Sequence, residues 1–301
     1  MLPQEANRLA GTEIAAQIQA EVAEQIKKLK LKAGLAVILV GNDPASEKYV
    51  SLKQKAAQKA GIDFHLYRFG EYAAPGEILQ TVRWLNEDPD IHAILIQLPL
   101  PEHLDEDKII AAMDYKKDVD GFHPKNIQAT LSGAQKMMPG LVMGIVQLIT
   151  ATGEALHGKQ AAIIARHEAF VKILSHALSS FGATPVNAQP GDPRVAEKTQ
   201  KADIVITAVG KPGWLTGDMI KEGCILIDVG TSEVNGTIAG DAHKSCKEKA
   251  AWISPVPGGV GPMTVAMLLK NTALLARLAR RLPADLSAEE AGGGGISTEA
   301  K

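Results

Sequence analysis

Unbroken apolar runs, bounded by turn residues, set the rhythm of this chain. Leu35-Ala36-Val37-Ile38-Leu39-Val40, Ala93-Ile94-Leu95-Ile96, Ala161–Ala165, Ile204–Val209 and Cys224–Val229 show no polar alternation. Such runs predict strands buried on both faces, as in parallel sheets. Between them the spacing changes. Ile14, Ile18, Val22, Ile26 and Leu29 fall on one helical face and predict an amphipathic helix over 12–30. Asp43 as N-cap, Pro44 at the first helical position and Gly61 as a stop predict a second helix. Further helices are expected around Pro75–Leu85, Glu106–Met113, Ala169–Phe181 and Val265–Arg280, with strands at Asp63–Phe69 and Pro185–Asn187. The run from Ala93 reads as a strand continuing to a Pro-punctuated turn at Pro99-Leu100-Pro101. This alternation predicts an α/β chain in which the later strands form a doubly wound parallel sheet, separate from the first unit. The final segment, 284–301, contains Gly292–Gly295 and few apolar residues and is expected to be a disordered tail.

Composition narrows the field. A length of 301 residues suggests two domains, and 46% hydrophobic residues with only 4% aromatic ones implies aliphatic cores. A net charge of −2 offers no footprint for nucleic acid or an anionic membrane. The two cysteines, Cys224 and Cys246, make neither a disulfide framework nor a metal cluster. No run reaches transmembrane length and the start lacks a signal-peptide pattern, so the expectation is a cytoplasmic protein.

The candidate chemistry lies in four places. Tyr49 and Lys53 are four residues apart on one helical face, near the carboxyl end of a strand, where open α/β sheets place ligands. An aromatic ring beside an amine there could hold a flat heterocycle and move protons around it. A solvated face carrying Lys48, Lys53, Lys55 and Lys59 is the plainer alternative, and spacing alone does not separate the two. Gln97 is a polar amide at the mouth of an apolar strand; it either meets a ligand or satisfies loop backbone groups. Lys117-Asp118-Val119-Asp120-Gly121-Phe122 is either turn chemistry or a carboxylate presented to a ligand's N–H groups. Ser254–Thr264 is a Gly/Pro-rich loop launching a helix whose first amides could receive a polar ligand.

Taken in order, Tyr49-Val50-Ser51-Leu52-Lys53, Gln97-Leu98-Pro99-Leu100-Pro101, Lys117–Phe122 and Pro255–Thr264 resemble the bifunctional methylenetetrahydrofolate dehydrogenase/methenyltetrahydrofolate cyclohydrolase family over nearly the whole chain. The resemblance implies an N-terminal three-layer α/β folate-binding catalytic domain at 1–138, completed by a C-terminal helix at 262–283. It also implies a Rossmann-like NAD(P)-type domain at 139–261. By the same resemblance Lys53 is the catalytic amine of the cyclohydrolase step, Tyr49 packs on the folate and Gln97 modulates Lys53. Asp120 holds the pterin, and Pro257, Gly258 and Gly259 form part of the pocket wall. The partners implied are tetrahydrofolate derivatives and a second copy of the chain in a homodimer. The cofactor implied is NADP, with Arg166, His167 and Lys172 as its candidate contacts.

The sequence departs from the family pattern in the second half. The family's Pro-Cys-Thr-Pro-x-Gly is Pro139-Gly140-Leu141-Val142-Met143-Gly144 here. Its phosphate loop, Gly-Arg-Ser-x-x-Val-Gly-Lys-Pro, is Ala165-Arg166-His167-Glu168-Ala169-Phe170-Val171-Lys172-Ile173. Two glycines are lost, and Glu168 places a carboxylate where phosphate would approach. Arg166, Lys172, Thr207–Gly213 and Asp228-Val229-Gly230 keep the pattern. The expectation is therefore a folate one-carbon enzyme that retains methenyltetrahydrofolate hydrolysis and has a weakened dinucleotide half. The alternatives are a fully bifunctional enzyme and a non-catalytic folate-binding paralogue.

Overall fold

The computed structural model describes residues 6–134, 137–234 and 236–280, so the expected tail at 284–301 lies outside the described residues. The chain opens with β1 (Asn7–Arg8) and α1 (Gly11–Leu29), followed by β2 (Gly34–Val40), α2 (Pro44–Ala60), β3 (Asp63–Phe69), α3 (Pro75–Glu87) and β4 (Ala93–Ile96). Strands β3, β2 and β4 lie side by side in that order, all parallel. Every residue of the central strand β2 is buried, as its unbroken apolar run requires. Helix α2 has the predicted punctuation. The Asp43 side chain accepts from the Ser46 amide at 2.8 Å, and Gly61 closes the helix at a φ of 78°, a conformation natural to glycine. Strand β4 ends at Ile96, short of the expected turn. The Gln97 amide makes the final ladder bond, to the Ile38 carbonyl at 2.9 Å, and Pro99, after a cis peptide bond, has no N–H to continue it.

Short helices α4 (Glu106–Ala111) and α5 (Pro124–Leu131) lead to α6 (Gly140–Thr150). The second unit then runs β5 (Gln160–Ala165), α7 (Glu168–Ser180), β6 (Thr184–Ala188), α8 (Val195–Lys201), β7 (Ile204–Ala208) and β8 (Ile225–Asp228). A small antiparallel hairpin, β9 (Ser232–Val234) and β10 (Thr237–Ala239), precedes β11 (Trp252–Ile253) and the long α9 (Val260–Ala279). The six-stranded sheet has the order β1-β11-β8-β7-β5-β6 and is parallel throughout. The start of the chain thus contributes an edge strand to the sheet of the second half.

Helices α1, α6 and α9 form the layer between the two sheets, and one apolar core runs from the β2 face of the first sheet to the β5 and β7 face of the second. Separate cores cover the outer faces, one under α3 and α4 and one under α8. Helix α6 is not among the expected helices, and Gly140 and Gly144 lie within it. Their role is close packing: a Cβ at Gly140 would lie 3.3 Å from the Cβ of Met267, and one at Gly144 3.1 Å from that of Met263. Helix α9 starts at Val260, five residues before the sequence suggested. Pro262 sits in its first turn, where a missing N–H breaks no bond.

Candidate active site

Helix α2 and the segments after β4 and before α5 carry the candidate residues near the carboxyl ends of β2 and β4. Lys53 projects from α2, and its Nζ donates to Gln97 Oε1 at 2.8 Å. Gln97 Nε2 in turn donates to the Leu98 carbonyl at 2.7 Å, which fixes the amide so that its oxygen faces the lysine. A neutral amine held this way keeps a lone pair and one further N–H for chemistry. Lys53 and Asp120 are both half-buried. Burial lowers the Lys53 pKa, opposed by the negative charge of Asp120. Burial pushes Asp120 up to about 6, the Lys53 charge opposing and Asp118 reinforcing the rise. The two groups are thus moved toward neutrality by the same desolvation.

Asp120 owes its position to Asp118, which is fully buried and works on the backbone. Asp118 accepts from the Gly121 amide at 3.0 Å, the His123 amide at 2.8 Å and Asn126 Nδ2 at 2.8 Å. Gly121 turns the chain at a φ of 77°. From α9, Asn271 donates to the carbonyls of Val119 and Met138 at 3.1 and 3.3 Å, clamping the Asp120 loop to the central layer. Sequence reasoning missed Asn271; its signal is a lone amide within a mainly apolar helix.

Tyr49 is half-buried one turn before Lys53 on α2. Pro257, Gly258 and Gly259 form the loop that caps the start of α1. The Gly258 carbonyl accepts from the Thr12 amide at 3.2 Å, and a Cβ at Gly11 would strike the Gly259 carbonyl oxygen at 2.0 Å. Gly258 itself has a φ of 106°, and the Val256–Pro257 peptide is cis. The structure therefore joins Lys53 and Gln97 by a hydrogen bond and sets Asp120 near enough for its charge to act on Lys53. Tyr49 shares their helix, and the 257–259 wall is a separate loop at the head of α9.

The candidate cofactor residues lie elsewhere, at the carboxyl ends of β5 and β6. A cavity of about 650 Å³ is lined there by Arg166, Glu168, Val171 and Lys172 on one side and by Asn187, Gln189 and Asp192 on the other. His167 is not among its lining residues; it is the N-cap of α7 and makes no side-chain capping bond. The altered loop has not closed this space. Ala165 is buried at the end of β5, and Val171 packs partly into the core below the groove. The Glu168 carboxylate is paired with Lys172 at 3.4 Å, and Asp192 with Lys198 at 2.7 Å, so neither stands as an unopposed charge. An open groove, an uncapped thirteen-residue helix start and the Arg166 guanidinium fit the phosphates of a dinucleotide.

Comparison with known proteins bears on both sites. Residues 9–120 match the model of the tetrahydrofolate dehydrogenase/cyclohydrolase catalytic domain, and residues 139–280 match that family's NAD(P)-binding domain, altered loop included. The chain is 44% identical to the bifunctional protein FolD of Moorella thermoacetica, over 89% of this chain and 98% of the relative. It is 41% identical to that of Bacillus subtilis, over 87% and 94%. The crystal structure of the bifunctional enzyme FolD from Campylobacter jejuni matches with a TM-score of 0.87 at 38% identity, covering 92% of this chain and all of that one (100%). The Trypanosoma brucei FolD complexed with NADP cofactor and inhibitor also gives 0.87, at 31% identity, covering 92% and 99%. Relatives this similar carry a bifunctional name, which favours the bifunctional alternative over a weakened cofactor half. The chain belongs to the tetrahydrofolate dehydrogenase/cyclohydrolase family.

Proposed function

We propose that this chain is a bifunctional folate enzyme that oxidises 5,10-methylenetetrahydrofolate with NADP⁺ and hydrolyses the resulting 5,10-methenyltetrahydrofolate to 10-formyltetrahydrofolate. The observation that carries the reading is the Lys53–Gln97 hydrogen bond at 2.8 Å beside a desolvated Asp120. A cationic methenyl substrate beside Lys53 would depress the amine further and favour its neutral form. Neutral Lys53 accepts a proton from the water that adds to the methenyl carbon. It returns that proton to N5 as the C–N5 bond breaks, and the new hydroxyl loses its own proton as the formyl C=O forms on N10. The net change is uptake of one water and release of one proton. Gln97 holds the amine in line, and Asp120, ionised above about pH 6, accepts hydrogen bonds from the pterin ring. Tyr49 covers the ring's face, with Pro257, Gly258 and Gly259 as the facing wall.

A dinucleotide, when bound, would supply the hydride acceptor. For this step the chain's task is positioning. Arg166, Lys172 and the first amides of α7 would hold its phosphates in the groove of the 139–261 unit. We extend the proposal to a homodimer in the cytoplasm on kinship. Among the described residues no helix is long and apolar enough to cross a membrane. Calorimetric titration with NADP⁺, run beside a nucleotide-free assay of methenyl hydrolysis, tests the reading. Micromolar nucleotide binding together with hydrolysis supports it; hydrolysis without nucleotide binding restores the reading of a disabled loop.

A further inference from the structure

Two buried carboxylates in the second sheet take no part in the chemistry above. Asp241 is fully buried, and its acceptors are directed at the end of β7 and the turn that follows it. Oδ2 receives the Thr207 hydroxyl at 3.0 Å and the Val209 amide at 2.6 Å, and Oδ1 receives the Lys211 amide at 2.8 Å. Asp228, at the end of β8, receives the amides of Gly230, Asp241 and Ala242 at 3.0, 3.0 and 2.8 Å. The packing around both is closed. A Cβ on Gly230 would lie 2.2 Å from the carboxyl carbon of Asp241, and one on Gly240 would lie 2.1 Å from Asp228 Oδ2. Both segments emerge at the carboxyl ends of β7 and β8, the edge at which an open parallel sheet meets its ligand. Ionic acceptors that satisfy backbone amides in a low-dielectric interior fix loop conformation more firmly than neutral ones.

We propose that Asp241, braced by Asp228, is a positioning residue for the dinucleotide: it holds the 208–211 loop in the conformation that accepts the cofactor. This rests on the bifunctional reading above. Asp228 adds a pH response. Burial pushes its carboxyl up to about 6, opposed by the amides of Ala242, Asp241 and Gly230 and reinforced by the Asp241 charge, and the buried Cys246 thiol lies within reach of its charge. A protonated Asp228 turns one acceptor into an O–H facing amide donors, which loosens the brace on the Asp241 backbone.

The test is calorimetric titration of the full-length protein with NADP⁺, supported by steady-state kinetics. Asp241→Asn, which sets an NH₂ against amide donors, is expected to weaken NADP⁺ binding by roughly tenfold or more. Its KM for NADP⁺ should rise by a similar factor with a smaller change in kcat, while nucleotide-free methenyl hydrolysis stays near the wild-type rate. Between about pH 7.5 and 5.5, wild-type affinity should fall more steeply than that of Asp228→Asn. A phosphate monoester titrates in the same range, so the proteins are compared with each other at each pH. Unchanged affinity in Asp241→Asn overturns the positioning role and leaves the bifunctional reading intact. Absence of NADP⁺ binding in the wild type overturns both. Should Asp241→Asn fail to fold, Thr207→Val removes one donor and leaves the carboxylate in place. A measurable fall in NADP⁺ affinity there supports the role, and no fall overturns it.

Discussion

The proposed folate cleft and the proposed dinucleotide groove handle charge in opposite ways. In the cleft, Lys53 and Asp120 are half-buried, Lys53 is hydrogen-bonded to Gln97, and both are desolvated enough to move toward neutrality. In the groove, Glu168 and Lys172 are 74% and 65% exposed and pair loosely at 3.4 Å. An exposed pair of this kind is worth about 0–1 kcal/mol, whereas groups removed from water respond strongly to the loss of a partner. The difference teaches where substitutions matter. Replacing glycines by Ala165 and Val171 alters the lining of a groove that stays open, while a single change in the cleft removes the partner of a partly buried group.

The largest effect expected is at the amine. Lys53→Met should lower methenyl hydrolysis by roughly 10²-fold or more with folate binding retained, because it removes the proton carrier and keeps the volume. Hydrolysis at the wild-type rate would remove Lys53 from the mechanism. Next comes Asp120→Ala, which leaves pterin donors unpaired and should weaken folate binding by about 1–3 kcal/mol. In the wild type, folate affinity should itself decline as pH falls through about 6 and Asp120 gains its proton. A flat pH profile would argue against the proposed pose.

A smaller effect, of opposite sign, concerns stability. The folded-state pKa of Asp120 is raised above its ordinary 3.8, so its ionised form opposes folding at neutral pH, and that penalty is absent at pH values below about 4. Asp120→Asn should therefore raise Tm by a few degrees near pH 7, on the order of 1–2 kcal/mol once solvent screening at the cleft is allowed for. The gain should vanish near pH 4. Thermal melts at the two pH values check it, and an equal shift at both would point to packing in place of charge. The smallest effect belongs to the groove. Glu168→Gln, or glycine restored at 165 and 171, should improve NADP⁺ affinity by less than about tenfold. Recovery of binding from an undetectable level would mean the altered loop is the obstacle its sequence suggested.

Much of this was legible in the residues. The unbroken run Leu35–Val40 and the Asp43, Pro44 and Gly61 punctuation defined the strand and helix that carry Lys53, because buried parallel strands and helix ends have strong local signatures. The parts that escaped depend on distant contacts. Gly140 and Gly144 look like turn residues until α9 lies against them, and β1 gains meaning only beside β11. Asn271 is separated by 152 residues from the Val119 carbonyl it clamps. The altered phosphate loop shows the same dependence: Val171 stands where the family has glycine, and in the fold it both lines the groove and packs partly against the core.

The coupled reaction tests the central claim most directly. Wild-type protein and Lys53→Met are each supplied with 5,10-methylenetetrahydrofolate and NADP⁺, and NADPH, methenyltetrahydrofolate and 10-formyltetrahydrofolate are followed together. Wild type is predicted to form NADPH and 10-formyltetrahydrofolate with little methenyl intermediate, while Lys53→Met forms NADPH and accumulates the methenyl compound. Failure of the wild type to form any NADPH would contradict the account, as would equal yields of 10-formyltetrahydrofolate from the two proteins.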